Sequence, residues 1–68
     1  MKVKDDIIKM LRPNQRAKNR LMYELGISSP TMYRFLKENA VDSDLTKATA
    51  VKVIAEELGL PVETILTE

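Results

Sequence analysis

Sixty-eight residues allow one domain at most, with a modest core that depends on good packing or on a partner copy. The chain has no cysteine and no histidine, which excludes a disulfide framework, a thiolate or imidazole metal site and the commonest general base. No apolar run approaches the roughly 18–20 residues that cross a bilayer and no signal-peptide core follows the first lysines, so the chain reads as soluble and cytoplasmic. The net charge of +1 conceals an asymmetry. Residues 1–39 carry nine Lys/Arg against four Asp/Glu, a net of +5, and residues 40–68 carry two against six, a net of −4. That division directs an acidic partner, nucleic acid first, to the basic half; a solvated surface with scattered charge is the plainer alternative.

In chain order, Val3, Ile7, Ile8 and Leu11 form a helical stripe over residues 3–11, with Asp5 and Asp6 near its start, where negative charge suits the helix dipole. Pro13 ends that helix and Asn14 is a good N-cap for the next. A second helix is predicted over Gln15–Leu25, burying Ala17, Leu21 and Leu25 with Met22 beside them. Its outer side carries Arg16, Arg20 and Tyr23, and Glu24 is placed to pair with Arg20 one turn away. Gly26 supplies the left-handed conformation for a sharp stop, and Ser28 or Ser29 caps a third helix whose first turn accommodates Pro30. Around that helix Met32, Phe35 and Leu36 cluster on one side, with Pro30, Tyr33, Arg34 and Lys37 on the other. A helix, a tight glycine turn and a serine-capped second helix with a basic outer face point to a helix-turn-helix over residues 15–39.

Residues 39–44 are a polar linker, with Asp44 or Thr46 capping a fourth helix from about Leu45 to Leu58 that stops at Gly59. Val51, Ile54, Ala55 and Leu58 form its main stripe; Ala48, Ala50 and Val53 add a second apolar flank, which suits either a central core helix or a subunit contact. Pro61 opens a short fifth helix from Val62 to about Thr67, with Val62, Ile65 and Leu66 folding back on the core. No strand alternation is visible, so the expected architecture is all-α, a compact five-helix domain.

The order of a first helix, the LGIS turn, the TMYRFL helix and then AVKVIAEELGLPVETIL resembles the lambda-repressor/Cro-type helix-turn-helix family from about Ile7 to Leu66. Leu21, Leu25, Gly26, Ile27, Met32 and Phe35 match the positions where that family keeps its motif core. Met22 stands where the family usually has a small residue at a close helix crossing, and Pro30 in the recognition helix is unusual for it. The resemblance implies a sequence-specific regulator of transcription that lays helix 29–39 in the major groove, with the preceding helix crossing above. It implies base contacts from Ser29, Tyr33, Arg34 and Lys37, Arg34 being suited to guanine O6 and N7. Tyr33 could meet a thymine methyl or a phosphate. Asn14, Gln15, Arg16, Lys18 and Ser28 are placed for the phosphate backbone.

One such module makes few contacts, so a weak homodimer on a palindromic site is expected, joined through the apolar flank of helix 4, Val53 included, and helix 5. Size and resemblance favour a complete Cro-like or excisionase-like regulator, phage-encoded or bacterial and nucleoid-associated. Glu38, Glu56, Glu57 and Glu63 read as solvated surface. The competing reading is a protein-interaction module, an anti-repressor or antitoxin-like partner that uses the same fold, since fold does not fix function. Catalysis is not expected without histidine, cysteine or a phosphate loop, and neither a cofactor nor a small-molecule substrate is implied.

Overall fold

The computed structural model describes residues 1–67. They form, in order, strand β1 (Lys2–Val3), helices α1 (Asp5–Leu11), α2 (Gln15–Leu25) and α3 (Ser29–Glu38), a 3-10 turn (Asp44–Thr46), helix α4 (Ala48–Leu58), a second 3-10 turn (Val62–Thr64) and strand β2 (Leu66–Thr67). About two-thirds of the described residues, 67%, are helical, the 3-10 turns included.

Local chemistry sets most of these boundaries. Asp5 and Asp6 occupy the first turn of α1 and Lys9 the last, in keeping with the helix dipole. The Asn14 side chain accepts the Ala17 amide at 3.1 Å and caps α2. At the other end Gly26 takes the left-handed conformation (φ 65°), and the amides of Gly26 and Ile27 both donate to the Met22 carbonyl. The carbonyls that α2 would leave open are thereby engaged. Ser28 precedes α3 in extended geometry, its hydroxyl facing Thr31 Oγ1 at 3.1 Å rather than capping an amide. Asn39 ends α3 in the left-handed region (φ 45°), and its Nδ2 donates to the Val3 carbonyl at 2.7 Å and to Asp5 Oδ1 at 3.3 Å. The end of α3 is thus tied to the start of the chain.

The helices bury one continuous core of Val3, Ile7, Ile8, Leu11, Ala17, Leu21, Met32, Leu36, Leu45, Ala50, Val53, Ile54, Ala55 and Ile65. Helix α4 contributes four of these and packs chiefly against α2.

Three expectations are corrected. The five-helix, all-α description fails: the described residues hold four α-helices and a two-stranded sheet. The expected fifth helix is a single 3-10 turn that passes directly into β2, which pairs antiparallel with β1 in the register Lys2 to Thr67 and Val3 to Leu66. The physical reason is local. Val62, Thr64, Ile65 and Thr67 are β-branched, which disfavours a helix and suits a strand, and a helix this short gains little from its own hydrogen bonds. The Lys4 amide adds a bond to the Ile65 carbonyl at 3.0 Å. For the same reason Val3 belongs to β1, not to the α1 stripe, and α1 begins at Asp5. Helix α4 likewise starts at Ala48, because Ser43 Oγ accepts the Leu45 amide at 3.3 Å and nucleates the separate 3-10 turn before it.

A Cβ at Gly26 would meet no atom within 4 Å, so the site is open and only its backbone conformation resists a side chain. Gly26→Ala is therefore expected to lower unfolding free energy by about 1 kcal/mol. Urea denaturation of the variant and parent, with the helical circular-dichroism signal preserved at zero denaturant, checks this.

Candidate nucleic-acid interface

A groove of about 490 Å³ lies between the start of α2 and the outer side of α3. Asn14 fixes where α2 begins, so Gln15, Lys18 and Met22 point to the α3 side of that helix while Arg16 and Arg20 point toward α4. The turn at Gly26 then sets Ser29, Tyr33 and Lys37, one turn apart along α3, on the facing wall. Met32 and Leu36 close the floor from the core side.

Charge is sharply sorted around this groove. Arg12, Lys18 and Lys37 line it and, among the described residues, no carboxylate does. Three cations held near one another without a counter-charge keep an unspent attraction for an anionic partner, screened by salt at the surface. Tyr33 stands 72% exposed on the α3 wall with its ring and hydroxyl both accessible.

The other arginines are engaged. Arg20 donates to Glu56 Oε1 at 2.6 Å and to Glu57 Oε2 at 3.2 Å, and Arg16 Nε lies 3.1 Å from Glu57 Oε1. The bonds to Glu56 and then Glu57 raise the Arg20 pKa above its ordinary value, so it stays charged at any working pH. These pairs clamp α2 to α4. The pairing of Arg20 with Glu24 expected from sequence does not form, because α4 brings two better-placed carboxylates; nor is Glu57 solvated, its side chain being 10% exposed.

The sequence-expected residues therefore divide. Gln15, Lys18, Ser29, Tyr33 and Lys37 meet at the groove. Asn14 is committed to its cap, Ser28 sits exposed at the turn, and Arg16 is bound toward α4. Arg34 lies on the far side of the exposed α3 face, 3.8 Å from Glu38 Oε1, with its guanidinium 5.8 Å from the centre of the Phe35 ring. It borders a second, smaller cleft of about 280 Å³ with Phe35, Glu38, Ala40 and Ser43.

Arg12 is the residue that sequence reading missed. It follows α1, its Nη2 reaches the Leu36 carbonyl at 3.5 Å, and it closes one end of the groove. Helical periodicity is silent in the Arg12–Pro13–Asn14 turn; the only signal was a cation beside the cap of the next helix. Of the apolar flank expected to join two copies, Ala50 and Val53 lie in the monomer core, while Ala48 and, in the C-terminal segment, Val62 remain exposed.

Comparison with protein-family models, with curated proteins and with solved structures found no match to this chain. Among the described residues no helix is long and apolar enough to cross a membrane.

The clamp between α2 and α4 gives a stability prediction. Arg16 is 88% exposed, so Arg16→Ala should change unfolding free energy by no more than about 0.5 kcal/mol. Glu57→Ala removes the shared partner of both arginines and should cost more, about 1 kcal/mol. Urea melts at low and at 1 M salt check it: the Glu57→Ala deficit should shrink at high salt.

Proposed function

We propose that this chain binds double-stranded DNA sequence-specifically, as a helix-turn-helix regulator of transcription that lays α3 in the major groove with α2 crossing above it. The observation that carries this reading is the acid-free groove between α2 and α3, ringed by Arg12, Lys18 and Lys37 and bordered by the exposed Tyr33. The turn at Gly26 and the two helices it joins support it, as does the resemblance of residues 7–66 to the lambda-repressor/Cro-type domains. Lys18, Gln15 and Arg12 meet the phosphates, which fix register. Ser29, Tyr33 and Lys37 face base edges from one wall. Arg34 reads from the opposite side of α3 after exchanging Glu38 for guanine; that pair is exposed and weak, so the exchange costs little.

Two copies on a palindrome supply the contacts that one small module lacks. Ala48 of α4 and Val62, both exposed, are apolar groups that can join them, and the spacing of half-sites would report the geometry.

A protein partner is the second reading, and Tyr23 favours it. That side chain is 84% exposed on the outer face of α2, away from the groove, and exposed tyrosines are enriched at protein interfaces.

Selection from a random duplex DNA pool at near-physiological salt tests the proposal. Enrichment of a palindromic site supports it, and a folded protein that enriches nothing overturns it. On the selected site, Arg12→Ala and Lys18→Ala should each lower the magnitude of the log K against log salt slope by about 1 while leaving sequence preference intact. Arg34→Ala should instead relax preference at one base pair, by about 1–3 kcal/mol, measured by competition with single-base variants of the site.

A further inference from the structure

Met22 has a second role beside packing. It is half-buried, lines the groove, and its sulfur accepts the Ser29 hydroxyl at 3.4 Å, which places its terminal methyl end beside the first residue of α3. Tyr33, one turn further on, presents its exposed ring to the same space. Arg12, Lys18 and Lys37 make the groove cationic, and the Met22 thioether and the Tyr33 ring line it from its two helices. The sulfur and ring make a soft, polarizable, adaptable apolar surface.

Resting on the DNA reading above, we infer that Met22, with Tyr33, forms the contact that recognises the C5-methyl group of a pyrimidine, making Met22 a specificity-determining residue supplied by the helix that crosses above the groove. The N-terminal residues of a major-groove helix lie closest to base edges, and Ser29 is the first residue of α3. The C5-methyl is the one apolar feature on the major-groove edge of a base pair, and apolar side chains are what distinguish it. The Ser29 hydroxyl, donating to the Met22 sulfur, holds the thioether against the wall instead of leaving it to swing over the groove. A small residue at position 22 would leave this contact unmade.

Two bases can carry that methyl, thymine and 5-methylcytosine, and the test separates them. The site selected from a thymidine-containing pool is resynthesised with deoxyuridine at each thymine in turn, and separately with 5-methyl-deoxycytidine at each cytosine. Watson–Crick pairing is unchanged in every duplex. Removing a methyl that the wall contacts should weaken binding about fourfold at one position of each half-site and negligibly elsewhere. A loss so placed with deoxyuridine assigns thymine, and a gain of the same size and placement with 5-methyl-deoxycytidine assigns the modified base. Met22→Ala should erase the discrimination, whereas Met22→Leu, which keeps an apolar surface, should retain most of it. Thermal melts confirm that both variants fold. Equal affinity for all substituted duplexes, or discrimination that survives Met22→Ala in a folded variant, overturns the inference and leaves DNA binding standing. Failure of every duplex to bind overturns the DNA reading and this inference together.

Discussion

The face described above depends on α3 being held at both ends by residues in the left-handed conformation. Gly26 turns the chain out of α2 and Asn39 turns it out of α3, and neither end is free to slide. Between them Met32 and Leu36 are locked into the core, which fixes rotation about the helix axis as well. At 100° per residue, that orientation leaves Ser29, Tyr33, Lys37 and Arg34 no choice but to project outward. Asn39 adds a hydrogen-bonded anchor through its 2.7 Å bond to the Val3 carbonyl, which ties the end of α3 to the small β1–β2 sheet. The buried Oδ1 of Asn39 has no partner among the described residues, a local cost that the Nδ2 bonds offset.

Charge sorting follows from the same scaffold. Helix α2 has basic residues on both flanks, and its two neighbours treat them differently. Glu56 and Glu57 of α4 neutralise Arg16 and Arg20, joining the two largest helices through charge-assisted bonds at the edge of the core. The groove on the α3 side is lined by no acid among the described residues, so Lys18 shares its surroundings with Arg12 and Lys37 instead. A chain with nearly balanced overall charge therefore presents one face whose positive charge is uncompensated. Electrostatic attraction to an anionic partner acts through it, while the charges between α2 and α4 are spent on each other.

The helices that position the groove were legible from sequence because each has a cap and a clean period. Asn14, Gly26 and Gly59 mark boundaries that the structure reproduces at α2 and at the end of α4, and the split of α3 into Met32–Phe35–Leu36 against Tyr33–Arg34–Lys37 follows from spacing alone. The C-terminal segment was not legible. Val62, Ile65 and Leu66 satisfy a helical pattern as well as a buried-strand pattern over so few residues; β-branching tilts the segment toward a strand, and pairing with the distant Val3 completes it. Long-range ion pairs were invisible for a related reason. Sequence can offer Arg20 a partner one turn away in Glu24, whereas Glu56 and Glu57 become its neighbours only after α4 folds back across α2. Arg12 joined the groove by the same kind of tertiary accident, through a turn that carries no periodic signal.

The most direct test maps the contact surface on the intact chain. Backbone amide chemical shifts would be followed during titration with the duplex enriched by selection, at near-physiological salt. The shifts are expected to concentrate at Arg12, residues 14–18 and 22, and along α3, with the amides around Glu56 and Glu57 unmoved. Perturbation centred on Tyr23 or on α4 instead, with the groove residues silent, would contradict the assignment of the α2–α3 groove as the DNA-binding face.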